Sequence, residues 1–473
     1  MLRSWRSAAG QGHDRGRQRF LDRVFHRIYR KNGFSPLPVI AMGFAGLILL
    51  VSLLLSLPVA SASGRSVGWF DALFTSTSAV CVTGLVVLDT GTAYSAFGHV
   101  VLLVLIQLGG LGFMTFATLI FRLMGRQITL REKLIMQDSM NEDVLGGIVQ
   151  LVQWVAISSF TVELTGTALF AIRLIPMYGP GKGLFYALFH AVSAFCNAGF
   201  DLFGYGRSLT GFSGDVLINL TAIMLVVVGG LGFGVQSDIL RRRRFDKFRL
   251  HTKLVLASYG TLMAVSFVMV LALEWSNPST LGAMPIGQKL LAALFQAVTL
   301  RTAGFNTFDQ AAMRDCTKLI GSFMMVIGAA PASTGGGIKV TTLAILFLTA
   351  RMVARGESSI RVFGRRIDPT LITRAMTVTF IALAVVFIDV CVLSLMQPGA
   401  GFLDLLYECA SAMGTGGISA IGSSSLRPLA RIMIILTMFT GRVGPLTLAL
   451  LFARRQNRTR ELIQYPEEHI MIG

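Results

Sequence analysis

The sequence predicts an all-α membrane protein in which eight transmembrane helices alternate with four re-entrant pore helices. These form four membrane–pore–membrane repeats in a pseudo-fourfold arrangement. Three observations carry this. The 473 residues are 53% hydrophobic and only 14% charged, with a mean hydropathy of +0.67. Soluble chains carry about 25% charged residues, so too little polar surface is present for a large soluble enzyme. Eight apolar stretches are long enough to cross a bilayer, and a pair of glycine marks recurs four times in one order.

A spanning helix needs about 20 apolar residues, because the hydrocarbon layer is about 30 Å thick. The candidates are roughly 37–58, 96–121, 146–175, 215–240, 254–273, 317–350, 375–396 and 428–453. Ala60-Ser61-Ala62 after the first imitates a signal-peptidase site. The basic tail over 1–36 and the length of the apolar run favour a retained span. The 42 Lys and Arg residues exceed the 24 Asp and Glu by 18. With the tail inside, 30 basic residues fall in cytoplasmic segments, 10 in external ones and two, Lys339 and Arg442, within spans. This bias predicts a multi-pass protein with both termini cytoplasmic, and it reads the net charge as basic loops facing the lipid bilayer, not as nucleic-acid binding. The five cysteines form no CxxC pair, and the six histidines lack metal-ligand spacing, so no catalytic set emerges.

Between the two spans of each pair lie segments too short to cross, each ending in glycine: residues 74–84, 189–199, 295–304 and 407–417. Ser78, Ser193 and Ser411 each stand six residues before their glycine, and the third segment is one residue shorter. A second mark follows inside the next span: Gly109-Gly110-Leu-Gly, Gly229-Gly230-Leu-Gly, Gly335-Gly336-Gly337 and Gly441-Arg442-Val-Gly444. The repeats are then 37–125, 146–245, 250–355 and 370–455, flanked by cytoplasmic tails over 1–36 and 456–473. With two crossings each, all four share one orientation and can surround an axis along the membrane normal.

Irregular backbone at membrane depth is tolerated only where it is buried in protein or faces water. Four glycine loops on one axis would offer rings of main-chain oxygens in place of a cation's hydration shell. Glycine reaches φ > 0 and adds no side chain to the lumen. The short helices would aim their partly negative C-terminal ends inward, favouring cations. The loop residues are Val82, Thr83, Gly84; Asn197, Ala198, Gly199; Thr302, Ala303, Gly304; and Thr415, Gly416, Gly417. For the downstream glycine marks, close helix packing and pore lining are equal alternatives.

In the third repeat, Ala329, Ala330, Pro331, Ser333, Thr334, Gly335, Gly336, Gly337 and Lys339 interrupt the second span. Proline and three consecutive glycines cannot continue a helix. A mobile segment beneath the loops would act as a gate; a plain kink is the alternative. A phosphate-binding loop is excluded because Val340 follows Lys339. Charges at membrane depth need a partner or a task. Arg442 is expected either to form a barrier in the cavity under the loops or to make a salt bridge with an acidic neighbour. Glu163 and Asp389 are the acidic residues on first spans, and Asp71, Asp404 and Glu408 lie on short helices, the two aspartates near helix starts. A coupled transporter of a larger solute and a membrane scaffold are the competing readings; the four equivalent loops speak against both.

The motifs Cys-Val-Thr-Gly-Leu (81–85), Cys-Asn-Ala-Gly-Phe (196–200), Arg-Thr-Ala-Gly-Phe-Asn (301–306) and Gly-Thr-Gly-Gly-Ile-Ser (414–419) resemble the Trk/Ktr/HKT superfamily of potassium transporters. So do Ser-Thr-Gly-Gly-Gly-Ile-Lys (333–339) and Gly-Arg-Val-Gly-Pro-Leu-Thr (441–447). Eight spans and the ending Tyr465-Pro-Glu-Glu-His-Ile-Met-Ile-Gly473 are similar to the Ktr-type membrane subunit (KtrB-like). The resemblance implies potassium uptake across the bacterial inner membrane by a homodimer with one pore per subunit. It also implies sodium as a stimulating ion and a cytoplasmic, ring-forming, nucleotide-binding regulatory subunit (KtrA-like). Gly84, Gly199, Gly304 and Gly417 would be selectivity-filter glycines, coordinating potassium through backbone carbonyls, and 329–338 the gating loop. Glycine at 84 favours potassium, since relatives with serine at that place tend to pass sodium. Gly416 beside Gly417 departs from the family pattern and implies a looser fourth strand. No cofactor is expected to bind this chain itself.

Overall fold

A computed structural model describes residues 36–112, 148–445 and 447. The predicted tails over 1–35 and 456–473, and the segment 113–147, lie outside the described residues. The helices run in an order that recurs four times. The first group holds α1 (Pro36–Leu55), α2 (Trp69–Val80) and α3 (Ala96–Leu111); the second holds α4 (Ile148–Tyr178), α5 (Pro180–Phe195), α6 (Val216–Gly230) and α7 (Phe233–Arg242). The third holds α8 (Leu250–Glu274), α9 (Ile286–Thr299), α10 (Asp315–Val326) and α11 (Val340–Ala354). After a hairpin of β1 (Arg361–Val362) and β2 (Arg365–Arg366) come α12 (Pro369–Met396), α13 (Phe402–Gly414) and α14 (Pro428–Val443).

Local sequence sets the boundaries. Ser95 and Asp215 accept hydrogen bonds from the Gly98 and Ile218 amides and so cap α3 and α6. Pro369 and Pro428 open α12 and α14, where the missing N–H is no loss. The Ala60-Ser61-Ala62 segment is bonded into the fold: Ser61 bridges Tyr94, and the Ser95 amide donates to Ala60 O.

Among the described residues, Val149–Tyr178, Leu250–Glu274 and Pro369–Met396 are long and apolar enough to cross a membrane individually. On α12 the large apolar residues Phe380 and Phe387 are 76% and 71% exposed. Such a surface suits hydrocarbon, not water. The second helix of each group departs from the predicted continuous span. The expected break in the third group is present, between Val326 and Val340, but α6 also ends at Gly230 and α7 leaves it at 98°. α3 and α14 likewise end at Gly112 and Gly444. The reason is the last glycine of each Gly-Gly-Leu-Gly-type mark, with φ of +81° at Gly112, +85° at Gly232 and +96° at Gly444. That conformation terminates an α-helix.

The groups close into a ring. α3 packs on α5, α6 on α9, α10 on α13, and α14 returns to α2. Each short helix is thus wedged between its own long helix and the third helix of the preceding group. Two of these contacts are locked by ion pairs of 2.7 Å: Lys318 on α10 with Asp404 on α13, and Arg431 on α14 with Asp71 on α2. The two aspartates were expected only as helix-start charges; each also has a cation from the neighbouring group.

The first two glycines of the marks are packing residues. A methyl on Gly109 would meet Val80 O, one on Gly229 would meet Phe195 O, and one on Gly441 would meet Met413 O. Each helix therefore rests directly on the carbonyl end of its own group's short helix. Gly229→Ala should lower the thermal midpoint in detergent, since overpacking costs about 1–3 kcal/mol. Gly260→Ala, on α8 with open space around it, should not. Equal midpoints for the two variants would refute the close-packing role.

Candidate ion pathway

The four short helices α2, α5, α9 and α13 end in turns of one shape. The residue two before each loop glycine has a positive φ: +56° at Val82, +59° at Asn197, +69° at Thr302 and +53° at Thr415. The glycines follow at +92°, +70°, +80° and +76°. A run of such angles cannot belong to helix or strand, and none of the four turns is stabilised by a regular ladder.

The turns meet. A methyl on Gly84 would lie 2.6 Å from Ala198 O and 3.2 Å from the Cα atoms of Gly199 and Gly417. One on Gly199 would lie 2.5 Å from the Gly304 Cα and 3.0 Å from Ala303 O. One on Gly417 would lie 2.7 Å from the Gly304 Cα and 3.1 Å from the Gly84 Cα. The contacts run 84–199–304–417 and back to 84, a closed ring of glycines with the carbonyls of Ala198 and Ala303 against it. Any side chain at these positions would collide with backbone, so glycine is required sterically as well as conformationally. Thr83, Ala198, Ala303 and Gly416 lie buried between the paired positive-φ residues. Asn197 and Thr302, on adjacent turns, are hydrogen-bonded through their side chains at 3.0 Å.

The interrupted segment lies against this ring. Ile338 pairs with Ile327 in a one-residue parallel bridge, and the Gly328 amide donates to Ile338 O, so the segment loops round and returns alongside its own start. The Ala330 and Thr334 amides donate to Gly230 O and Gly229 O on α6, and the Gly337 amide donates to Gly441 O on α14. Gly336 donates its amide to Thr415 Oγ1 at 2.9 Å, joining the segment to the fourth turn. Thr334 Oγ1 donates to Phe195 O at the end of α5. The Ser333 hydroxyl bonds back to Ala330 O, and Phe233 N–H, at the start of α7, donates to Ala332 O beside Pro331. A methyl on Gly335 would meet Ala329 Cβ at 2.8 Å.

Three buried or half-buried cations serve main-chain oxygens. Lys339 Nζ donates to Gly335 O at 2.7 Å. Arg442 donates to Thr334 O on the interrupted segment and to Gly109 O and Gly110 O at the end of α3. It thus straps the last group to the first and third. Among the described residues Arg442 has no carboxylate within ion-pair distance. Arg301, counted as an external charge from the sequence, is instead fully buried. Its Nη1 donates to Ile327 O at 2.8 Å, satisfying the carbonyl end of α10 where the break begins. Its signal in the sequence was register: it stands where the first two loops have Cys81 and Cys196.

Buried carboxylates accept from neutral donors. Glu163 accepts from Gln107 Nε2 at 2.8 Å, Asp389 from Thr437, and Glu408 from Ser419 and Ser423. Glu274, not singled out by the sequence, is fully buried and accepts from Asn277, Thr280, Thr317 and the Arg314 amide, at the start of α10. No group of three or more metal-ligating side chains occurs among the described residues.

A helical protein with an apolar outer surface and a central ring of backbone turns at the ends of four short helices has the makings of a membrane transporter. The chain belongs to the TrkH family of cation transport proteins, which matches residues 43–461. It is 41% identical over 440 residues to the Ktr system potassium uptake protein B of Bacillus subtilis, covering 93% of this chain and 97% of that one. It is 35% identical over 442 residues to the potassium/sodium uptake protein NtpJ of Enterococcus hirae, with the same coverages. Its fold is like that of the potassium transporter TrkH from Vibrio parahaemolyticus, with a TM-score of 0.68 at 20% identity over 89% of this chain and 86% of that one. Within this family it is a KtrB-like membrane subunit, a transporter and not an enzyme.

Two residues beyond Gly199, burial first and then the nearby Asp89 push the Asp201 carboxyl up to about 6, against the pull of the Phe203 and Gly204 amides. Below that pH it holds a proton and the ring loses a neighbouring negative charge; above it the charge is present and attracts cations. Cation flux should rise with pH through about 6, and Asp201→Asn should flatten the profile at the low-pH level. A wild-type profile unchanged between pH 5 and 7 would refute this.

Proposed function

We propose that this chain is the pore-forming subunit of a potassium uptake system in the bacterial inner membrane. Four repeats, 37–125, 146–245, 250–355 and 370–455, each contribute two of eight crossings and one pore helix around a pseudo-fourfold axis. The turns at 82–84, 197–199, 302–304 and 415–417 form the selectivity filter. The observation that carries this reading is the closed ring of four glycines with main-chain oxygens beside it. A potassium ion shed of water would find carbonyl oxygens there, while the C-terminal ends of α2, α5, α9 and α13 favour positive charge. The names of the B. subtilis and E. hirae relatives support potassium as the ion and, for the second, sodium as well.

The segment from Ala329 to Lys339 is the gate. It is bonded to α6, to α14 and to Thr415, so moving it breaks a defined set of hydrogen bonds. Arg442 is the barrier, holding that segment shut through Thr334 O and placing a positive charge under the filter. A homodimer, cytoplasmic termini and a ring-forming nucleotide-binding subunit that works the gate complete the proposal. The basic hairpin Arg361–Arg366 and its ring contact between Phe363 and Phe245 offer that subunit a cytoplasmic face.

The chain should restore growth of a potassium-uptake-deficient bacterium on low potassium, and failure to do so with its regulatory subunit present would overturn the reading. Gly84→Ser should lower rubidium-over-sodium discrimination about tenfold or more, corresponding to roughly 1.4 kcal/mol at the filter. Arg442→Ala should raise rubidium flux on the order of tenfold, the scale of losing charge-assisted bonds to the gate. An unaltered rate would remove the barrier.

A further inference from the structure

Each filter turn is attached to its own pore helix by a hydroxyl, except one. The Gly84 amide donates to Ser78 Oγ at 3.0 Å. Ser193 Oγ donates to Phe200 O at 2.8 Å, and Thr299 Oγ1 donates to Phe305 O at 2.5 Å. The matching hydroxyl of the fourth helix, Ser411, is buried and has no hydrogen-bond partner among the described residues. Beside it, Gly416 leaves a small niche at an ordinary φ: a methyl there would lie 3.4 Å from Ser411 Oγ and 3.3 Å from Met325 Sδ, a tight contact that the flexible thioether must yield to by a few tenths of an ångström. The inner clasp is therefore missing from the fourth turn alone.

In the second and third repeats a second tie lies one helical turn earlier, three residues before the hydroxyl, whereas Thr75 of the first bonds within its own helix at Asp71 O. His190 Nε2 accepts from the Leu202 amide and Gln296 bonds Gln310, each holding the chain beyond its own glycine. In the fourth repeat this place is Glu408. Its carboxylate is fully buried, accepts from Ser419, two residues past Gly417, and accepts from Ser423 at 2.5 Å. Ser419 in turn accepts the Gly422 amide. A carboxylate binds hydroxyls more strongly than a neutral acceptor does, so the one side-chain tie from the fourth short helix to its own turn is also the strongest of its kind.

We infer that the fourth turn is the adjustable member of the filter, and that Glu408, acting through Ser419 and Ser423, is a positioning residue for discrimination between potassium and sodium. Resting on the proposed filter, the inference concerns where its selectivity is set. A turn clasped at two levels keeps its oxygens at a fixed distance. One whose own helix reaches it with a side chain only at the far side, and whose other side-chain bond is to the interrupted segment through Thr415, can move inward toward a smaller ion once that tie loosens. Loss of Glu408 therefore frees a single strand of the ring and lowers discrimination without abolishing passage.

The test uses the full chain with its regulatory subunit in a potassium-uptake-deficient bacterium, reading rubidium uptake in the presence and absence of sodium, with thermal midpoints of purified protein alongside. Glu408→Gln should lower rubidium-over-sodium discrimination about tenfold, the effect of replacing a charge-assisted hydrogen bond by a neutral one. Its midpoint and maximal rubidium rate should stay near wild type. Ser411→Ala should change neither quantity, whereas Ser193→Ala, which removes an occupied clasp, should lower discrimination. Gly416→Ala, which fills the niche, should raise it. If Glu408→Gln is poorly expressed, Ser423→Ala removes half of the tether and should give an intermediate shift. Discrimination unchanged in Glu408→Gln or Ser423→Ala, or a shift in Ser411→Ala equal to that in Ser193→Ala, overturns the inference. Wild-type protein that takes up no rubidium would overturn instead the potassium-uptake reading itself.

Discussion

Every irregular stretch in the middle of this protein answers to one constraint: a backbone amide or carbonyl left without a partner in an apolar layer costs several kcal/mol. The chain abandons helix at the ends of α2, α5, α9 and α13 and again at the ends of α3, α6, α10 and α14. All eight places face one another around the same centre. Several of the freed groups, among them Gly229 O, Gly230 O, Thr334 O, Gly335 O and Ile327 O, are met by amides or by cations from other parts of the chain. The glycines of the downstream marks let the carbonyl ends of the short helices come close enough for this, and the pairing of α14 with α2 closes the circle. An open row of such turns would leave unpaired groups facing lipid.

The same constraint explains how charge is distributed. Arg301, Lys339 and Arg442 donate to carbonyls at broken helix ends, where partial negative charge is already present. Glu274, Glu408 and Asp389 accept from hydroxyls, amides or both. Opposite charges are brought into ion pairs at the periphery, as in Lys318–Asp404 and Arg431–Asp71, where α10 and α14 meet the next short helix. Partnering buried charges with neutral dipoles in this way keeps each one tied to a particular backbone position. An ion pair in its place would fix two side chains to each other and leave the carbonyl ends of α3 and α10 unmatched.

Much of this was legible in the sequence because it is periodic. The four loop glycines, the downstream marks and the break between Val326 and Val340 all show as residue types that helices exclude. What was not legible depends on partners far apart in the chain. Arg301 reads as an external charge because it sits in a loop; only the fold shows that the loop is interior and that Ile327 O needs a donor. Glu274 looks like an ordinary helix end until Asn277, Thr280 and Thr317 are seen around it. The helix ends at Gly112, Gly232 and Gly444 were missed because a glycine shortly after another small-residue contact reads as continued close packing, and its positive φ is not announced by residue type alone.

Departures from fourfold symmetry are concentrated in the third and fourth repeats, and they are coupled. The third turn replaces a small residue by Arg301, which caps α10 at the point where the interrupted segment begins. That segment bonds through Gly336 to Thr415 of the fourth turn, and through Gly337 to Gly441 two helical faces away. The fourth turn is the one without an inner clasp, and Arg442, one residue past Gly441, reaches back to Thr334. A displacement of the segment therefore acts directly on Thr415, and also on the end of α5 through Thr334 and on the third turn, where Gly335 lies against Thr302. On the proposed reading, the same chain of contacts that shuts the passage also adjusts one wall of the filter, so permeation and discrimination would be governed together by the least symmetric quarter of the ring.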